Sequence, residues 1–180
     1  MVGGTALALQ IGHRISVDFD LFSEKPLPAG FLQKIKRAFP DSSIEMTYRS
    51  TDQINVSVDG VKTTFFHFPY PVLESFVTHQ KVPLASIGEI AAMKAFAIGK
   101  RLSFKDYVDW YFLLSKDYVT LPDVIQLAQA KFRGDFNDRL FLGQLASLND
   151  IPDQKIDFLG EPVDRTAIET VLKTHIKKII

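Results

Sequence analysis

The chain has 180 residues, 46% of them hydrophobic and 23% charged, which is ordinary for a folded globular protein able to bury a continuous core. Lys plus Arg and Asp plus Glu number 21 each, so no whole-molecule field steers the chain toward nucleic acid or acidic membranes, and any RNA contact needs a local patch. The absence of cysteine excludes disulfides, thiolate metal sites and cysteine nucleophiles; with no apolar run of about 18 residues and no basic-then-apolar leader, a cytoplasmic protein without a membrane partner is expected.

Gly3-Gly4-Thr5 opens the first predicted element, a helix through Ala6 to Gln10 that Gly12 is placed to cap. Two glycines and a hydroxyl at a helix start form a seat for phosphate, because free backbone N–H groups point outward and glycine lets an anion approach closely. Arg14 to Phe22 then alternates, with Ile15, Val17, Phe19 and Leu21 on one side and Ser16, Asp18 and Asp20 on the other, as in a strand covered on one face. Both carboxylates share a face, roughly 6 to 7 Å apart along the chain, and can converge on one divalent ion or bracket a pair. Phosphate seat followed by metal carboxylates suggests a nucleoside triphosphate. Gly3, Gly4, Thr5 and Arg14 are then nucleotide-binding candidates, and Asp18 and Asp20 are candidate ligands of Mg2+ or Mn2+.

The run from Gly3 to Phe22 resembles the signature of the AbiEii/AbiGii toxin nucleotidyltransferases, a branch of the polymerase-beta-like superfamily, in which a small-residue pair at a helix start precedes Asp-x-Asp on the next strand. Gly3, Gly4, Thr5, Asp18 and Asp20 are the matching positions. The resemblance implies an α+β fold, with a mixed or antiparallel nucleotidyltransferase-like sheet, flanking helices and a helical C-terminal half. It also implies transfer of a nucleotide from a triphosphate to RNA, particularly a tRNA end, or to another acceptor hydroxyl, and a cognate antitoxin as partner. A strand normally delivers the glycine pair to the sheet edge. Met1 and Val2 leave almost no room for it, so an upstream extension or a partner chain, as in a homodimer, is expected to supply it.

Two prolines make Ser23 to Pro28 a loop, and Phe31, Leu32, Ile35 and Phe39 give Ala29 to Phe39 helical periodicity. Ile44 to Arg49, Ile54 to Val58 and Val61 to Phe68 read as an antiparallel meander, the last two joined by the hairpin signal Asp59-Gly60. The resembled superfamily places a third metal carboxylate on this last strand. Here Thr63 or Thr64 stands in that position, His67 is a weak alternative base, and Asp59 is displaced.

A short strand is expected at Val82 to Leu84. Ser86 and Glu89 form a reciprocal capping box for a helix running to about Arg101, with Lys94 interrupting its apolar side. Lys94 is expected either to snorkel or to face phosphates across a cleft from Asp18 and Asp20. Ile90 to Arg101 followed by Lys105-Asp106 and Asp109 is similar to the family's downstream motif, which implies phosphate contact by Lys94 and a positioning role for Asp106. Asp106 and Asp109, at i and i+3, share a helical face. Lys100, Arg101 and Lys105 form the one basic cluster expected to receive RNA or a nucleotide tail.

Tyr107 to Leu114 is a buried helix, Thr120 caps the next one to about Phe132, and further helices cover 136–148 and 165–180, separated by a loop over 150–162. The chain thus divides into a core at 1–85 and a helical region at 86–180. Two other functions fit the residues: a catalytically degenerate nucleotide- or partner-binding protein, or a nucleotidyltransferase acting on a small aminoglycoside-like substrate.

Overall fold

The computed structural model describes residues 1–98, 100–101 and 103–179; Gly99 of the expected third helix and Ile180 of the last lie outside the described residues. Gly3–Ile11 (α1) ends where Gly12 turns left-handed, φ 61°, its N–H reaching the Ala8 carbonyl at 2.9 Å. Phe19–Ser23 (β1) follows, then the amphipathic Phe31–Ala38 (α2). Ile44–Arg49 (β2), Gln53–Val58 (β3) and Val61–His67 (β4) form the expected meander, turned at Asp59-Gly60 with both residues at positive φ. Strand β1 joins parallel to β4, so the sheet is mixed, in the order β1-β4-β3-β2.

The strand expected from Arg14 begins only at Phe19, for two reasons. His13 to Ile15 are drawn off by the C-terminal loop, where Ile15 N–H bonds the Asp157 carbonyl at 2.7 Å and Leu159 N–H the His13 carbonyl at 3.2 Å. Thr5 then takes the Asp18 carbonyl, so the chain reaches β4 late. The alternation also misleads about cover: Ile15, Val17 and Phe19 are exposed.

Met1 and Val2 form backbone bonds beside β1, Val2 as an isolated bridge to Asp20. Val2 N–H bonds the Asp20 carbonyl at 2.9 Å, Met1 accepts from Ala85 N–H at 2.9 Å, and its amino group donates to Pro83. Two residues therefore tie β1 to Val82–Leu84 (β6), which pairs with Val77–His79 (β5).

Helix α2 drops Ile35 onto Ile54 and Val56 and covers part of one sheet face. On the other face lie α1 and Ile87–Ala97 (α3), backed by Phe104–Ser115 (α4), Leu121–Phe132 (α5), Asp138–Ala146 (α6) and Arg165–Lys177 (α7). Val2, Leu7 and Leu84 pack in one core with Ile90, Trp110 and Ile168, so the hydrophobic interior continues across position 85. Thr120, Asn137 and Asp164 cap α5, α6 and α7 through their side chains.

Only half of the expected capping box forms. Ser86 Oγ accepts from Glu89 N–H at 3.0 Å, but the Glu89 carboxylate turns away, accepting from Leu73 and Glu74 N–H and pairing with Lys131 Nζ at 2.7 Å. Both ends of that pair are buried, and Lys131 also donates to the Pro71 carbonyl, so the segment after β4 is pinned to α3 and α5. Glu89→Gln leaves Lys131 buried without its counter-charge and is expected to cost about 3–5 kcal/mol of unfolding free energy, read by urea denaturation.

Candidate active site

The start of α1 is shaped by what presses on it. Gly3 has φ 77°, and a Cβ there would lie 2.2 Å from Asp20 Oδ2; one on Gly4 would lie 2.5 Å from Arg14 Nη2. Both glycines are steric requirements of neighbouring side chains. Thr5 is buried, its hydroxyl committed to the Asp18 carbonyl and to Ser16 Oγ, so it stitches the helix to the approaching strand instead of facing a ligand.

Asp20 is half-buried and lines a cleft of about 370 Å³ between the sheet and α3. Gly3, Thr64, Lys94 and Arg101 share its polar side; Phe66, Phe68, Met93 and Phe96, with Gln53 beside Phe66, form the other, largely apolar end. Thr64 is the register partner of Asp20 on the parallel strand, and Asn55 extends the row. Thr64 thus sets a hydroxyl, not a carboxylate, beside Asp20. Thr63 lies on the opposite face, and so does His67, whose Nδ1 meets Asp52 at 2.9 Å. Asp18 is exposed, yet close enough that its charge acts on Asp20. Burial foremost, with Asp18 adding to it, raises the Asp20 carboxyl above its usual value; Arg101, the Thr64 hydroxyl and Lys94 oppose this.

Behind the polar side runs a buried charge network. Lys94 Nζ lies 2.7 Å from Asp106 and 2.6 Å from Asp109. Asp109 also receives Arg14 through Nε at 2.7 Å and Nη2 at 3.0 Å, and its Oδ1 is 2.7 Å from His13 Nε2. Asp106 takes Arg101 bidentately at 2.7 and 2.8 Å. A larger cavity, about 570 Å³, opens by Tyr111, Lys116 and Glu161, but none of the predicted site residues lines it.

A family model described as nucleotidyl transferase AbiEii toxin, of a type IV toxin–antitoxin system, matches residues 42–179. The chain belongs to this AbiEii family. An uncharacterised protein of Aquifex aeolicus (strain VF5) is 35% identical over 140 residues, covering 76% of this chain and 68% of its own length. Two solved structures share the fold at 18% identity. One is a proposed nucleotidyltransferase from H. pylori, with TM-score 0.56 and coverage of 99% of this chain and 86% of that one; the other is JHP933 from Helicobacter pylori, with TM-score 0.53 and coverage of 98% and 83%. The family match starts after Asp20, whereas the structural likeness spans the glycine turn and both aspartates.

In this AbiEii-family chain the downstream motif is an interior lock. Lys94 neither snorkels nor presents a free ammonium to the cleft, because two carboxylates hold it. Arg14, expected on the nucleotide side, is buried and turned to Asp109. The basic cluster does not form a patch: Arg101 is bound to Asp106, and Lys100 Nζ sits 3.1 Å from the Phe96 ring centroid. Arg101 nevertheless keeps its side chain 58% exposed at the cleft, and sequence reasoning had placed it only in that cluster. His13 and the second role of Asp109 were missed outright; histidine and arginine side by side 95 residues before a helical aspartate carry no local signal.

Burial alone would lower the Lys94 ammonium, but Asp109 and Asp106 outweigh it and hold it above the usual lysine value. Burial would likewise raise both carboxyls; Lys94, with His13 and Arg14 at Asp109 and Arg101 at Asp106, holds them below the usual carboxylate range instead. Stability from such depressed carboxyls is complete above about pH 4 and is lost as pH falls further; the Lys94 share is complete below the usual lysine value and is lost as pH rises from there through its raised value, on the alkaline side. Asp109→Asn is expected to cost about 3–5 kcal/mol at pH 7. It should also flatten the fall of Tm below pH 4 relative to the unaltered chain, measured by thermal unfolding across pH.

Proposed function

We propose that the chain is a metal-dependent nucleotidyltransferase of the toxin type, moving a nucleotide from a nucleoside triphosphate to an acceptor hydroxyl. What carries the reading is the Asp20 carboxylate pressed on the Gly3 turn, in a cleft that Lys94 and Arg101 also line. A phosphate at this helix start lies beside Asp20 and is repelled unless a cation stands with it, so a metal–triphosphate satisfies turn and carboxylate together. The donors fit such an ion. The Asp18 and Asp20 carboxylates and the Thr64 hydroxyl are hard oxygens, and Mg2+ is commonly held by one or two carboxylates plus substrate phosphates. Among the described residues no group of three or more His, Cys, Asp or Glu is arranged to hold a metal ion by itself, and the substrate's own oxygens would complete the set.

The residues divide the work by position. Asp18 and Asp20 would hold Mg2+ or Mn2+, which supplies Lewis-acid polarisation of the reacting phosphate. Gly3 and Gly4 admit the triphosphate to the backbone N–H groups of α1. Arg101, anchored through Nε and Nη2 to Asp106, turns its exposed remainder toward the charge that builds on departing pyrophosphate. Lys94 acts through its field and by fixing Asp106 and Asp109. The acceptor suggested by the family is RNA, particularly a tRNA end, in a cytoplasmic abortive-infection setting with a cognate antitoxin.

Thr64 supports a second reading, a nucleotide-binding protein without turnover, because a hydroxyl is too weak a base to take the acceptor's proton. Incubation with each labelled triphosphate, Mg2+ and total tRNA separates the two. Transfer is expected, reduced at least about a hundredfold in Asp20→Asn. Nucleotide binding that Asp20→Asn abolishes, with no transfer from any of the four nucleotides, establishes the second reading instead.

A further inference from the structure

The cleft has two chemistries, and their order along the sheet assigns direction to its ligand. Alternation places Asp20, Thr64 and Asn55 in one row and Phe22, Phe66 and Gln53 in the next row on the same face. Phe68 continues from Phe66, and Met93 and Phe96 of α3 face them across the cleft. Phe96 is already occupied on both sides: Phe132 stacks on it at 4.2 Å and 13°, and the Lys100 ammonium lies over the ring. Phe66 and Phe68 differ. Phe68 meets Phe22, Phe66, Tyr70 and Phe132 edge-on, with the Lys131 ammonium 5.8 Å from its centroid against 3.1 Å for Lys100 over Phe96; Phe66 meets Phe22 tilted, and no ring among the described residues stacks on either. Both are half-buried.

We infer that this apolar end, Phe66 and Phe68 with Met93 opposite, is the seat of the nucleotide's base, held by stacking more than by reading of its edge. The inference rests on the nucleotide reading above and adds the orientation: phosphates at Gly3 and Asp20, base at the end of β4. An aromatic wall suits a heteroaromatic ring because every base presents a π-face to stack on. Edge recognition is limited here. Gln53 is the one amide side chain lining this part of the cleft, and its Nε2 is engaged by Asn55 Oδ1 at 2.8 Å.

The test compares ATP with inorganic tripolyphosphate, each with Mg2+, by isothermal titration calorimetry. The unaltered chain should bind ATP about tenfold or more tightly than tripolyphosphate. Phe68→Leu and Phe66→Leu should each weaken ATP about five- to tenfold and leave tripolyphosphate unchanged, which also shows that the variants fold. Equal weakening of both ligands, or unchanged ATP affinity, overturns the assignment; if a phenylalanine variant binds neither ligand, Met93→Ala on α3 must show the same split for the assignment to stand. Failure of the nucleotide reading looks different: neither ligand binds the unaltered chain, or Asp20→Asn changes neither affinity.

Discussion

The Asp109 carboxylate is the point at which otherwise distant pieces of this chain become one site. It lies fully buried on α4 and is met by His13, Arg14 and Lys94, which arrive from the segment after α1 and from α3. A carboxylate removed from water is tolerated only when its lone pairs are filled, and here the donors are supplied by the elements that must surround the cleft. The same contacts fix Lys94, which fixes Asp106, which holds Arg101 at the cleft wall. Loss of any one donor leaves charge stranded in a low-dielectric interior, so the arrangement is cooperative.

A second buried pair, Glu89 with Lys131, acts at the other end of α3. It holds the chain after β4 against α3 and α5, next to the aromatic group of Phe68, Tyr70, Phe96 and Phe132. Helix α3 is thus clamped at both ends by ion pairs while its alanines pack closely against α1 and α5. A rigid helix over a sheet face yields a cleft of defined width, with polar residues at one end and aromatic ones at the other.

The glycine turn shows why small residues mark such sites. Gly3 and Gly4 are needed because Asp20 and Arg14 approach more closely than any Cβ permits. Met1 and Val2, too short to look like a strand, pair with both β1 and the chain entering α3 and so bring the turn to the sheet.

Much was legible in the sequence because it is local. Helical and strand periodicities marked α2, α4, α7 and the meander, Asp59-Gly60 marked its turn, Thr120 marked a helix start, and of the glycine turn and the two aspartates Gly3 and Asp20 line the cleft. Periodicity states which side chains share a face, though not what covers that face, so Val17 and Phe19 look buried in sequence and are exposed in the fold. Nor does it state which opposite charge a buried residue meets. Lys94, Arg14 and Glu89 have their local setting written in the sequence, but Asp109 is paired with Arg14 across 95 positions, and only the packing of α1, α3 and α4 around a shared interior decided that. Local backbone preference chose the elements; the need to neutralise every charge withdrawn from water chose their partners.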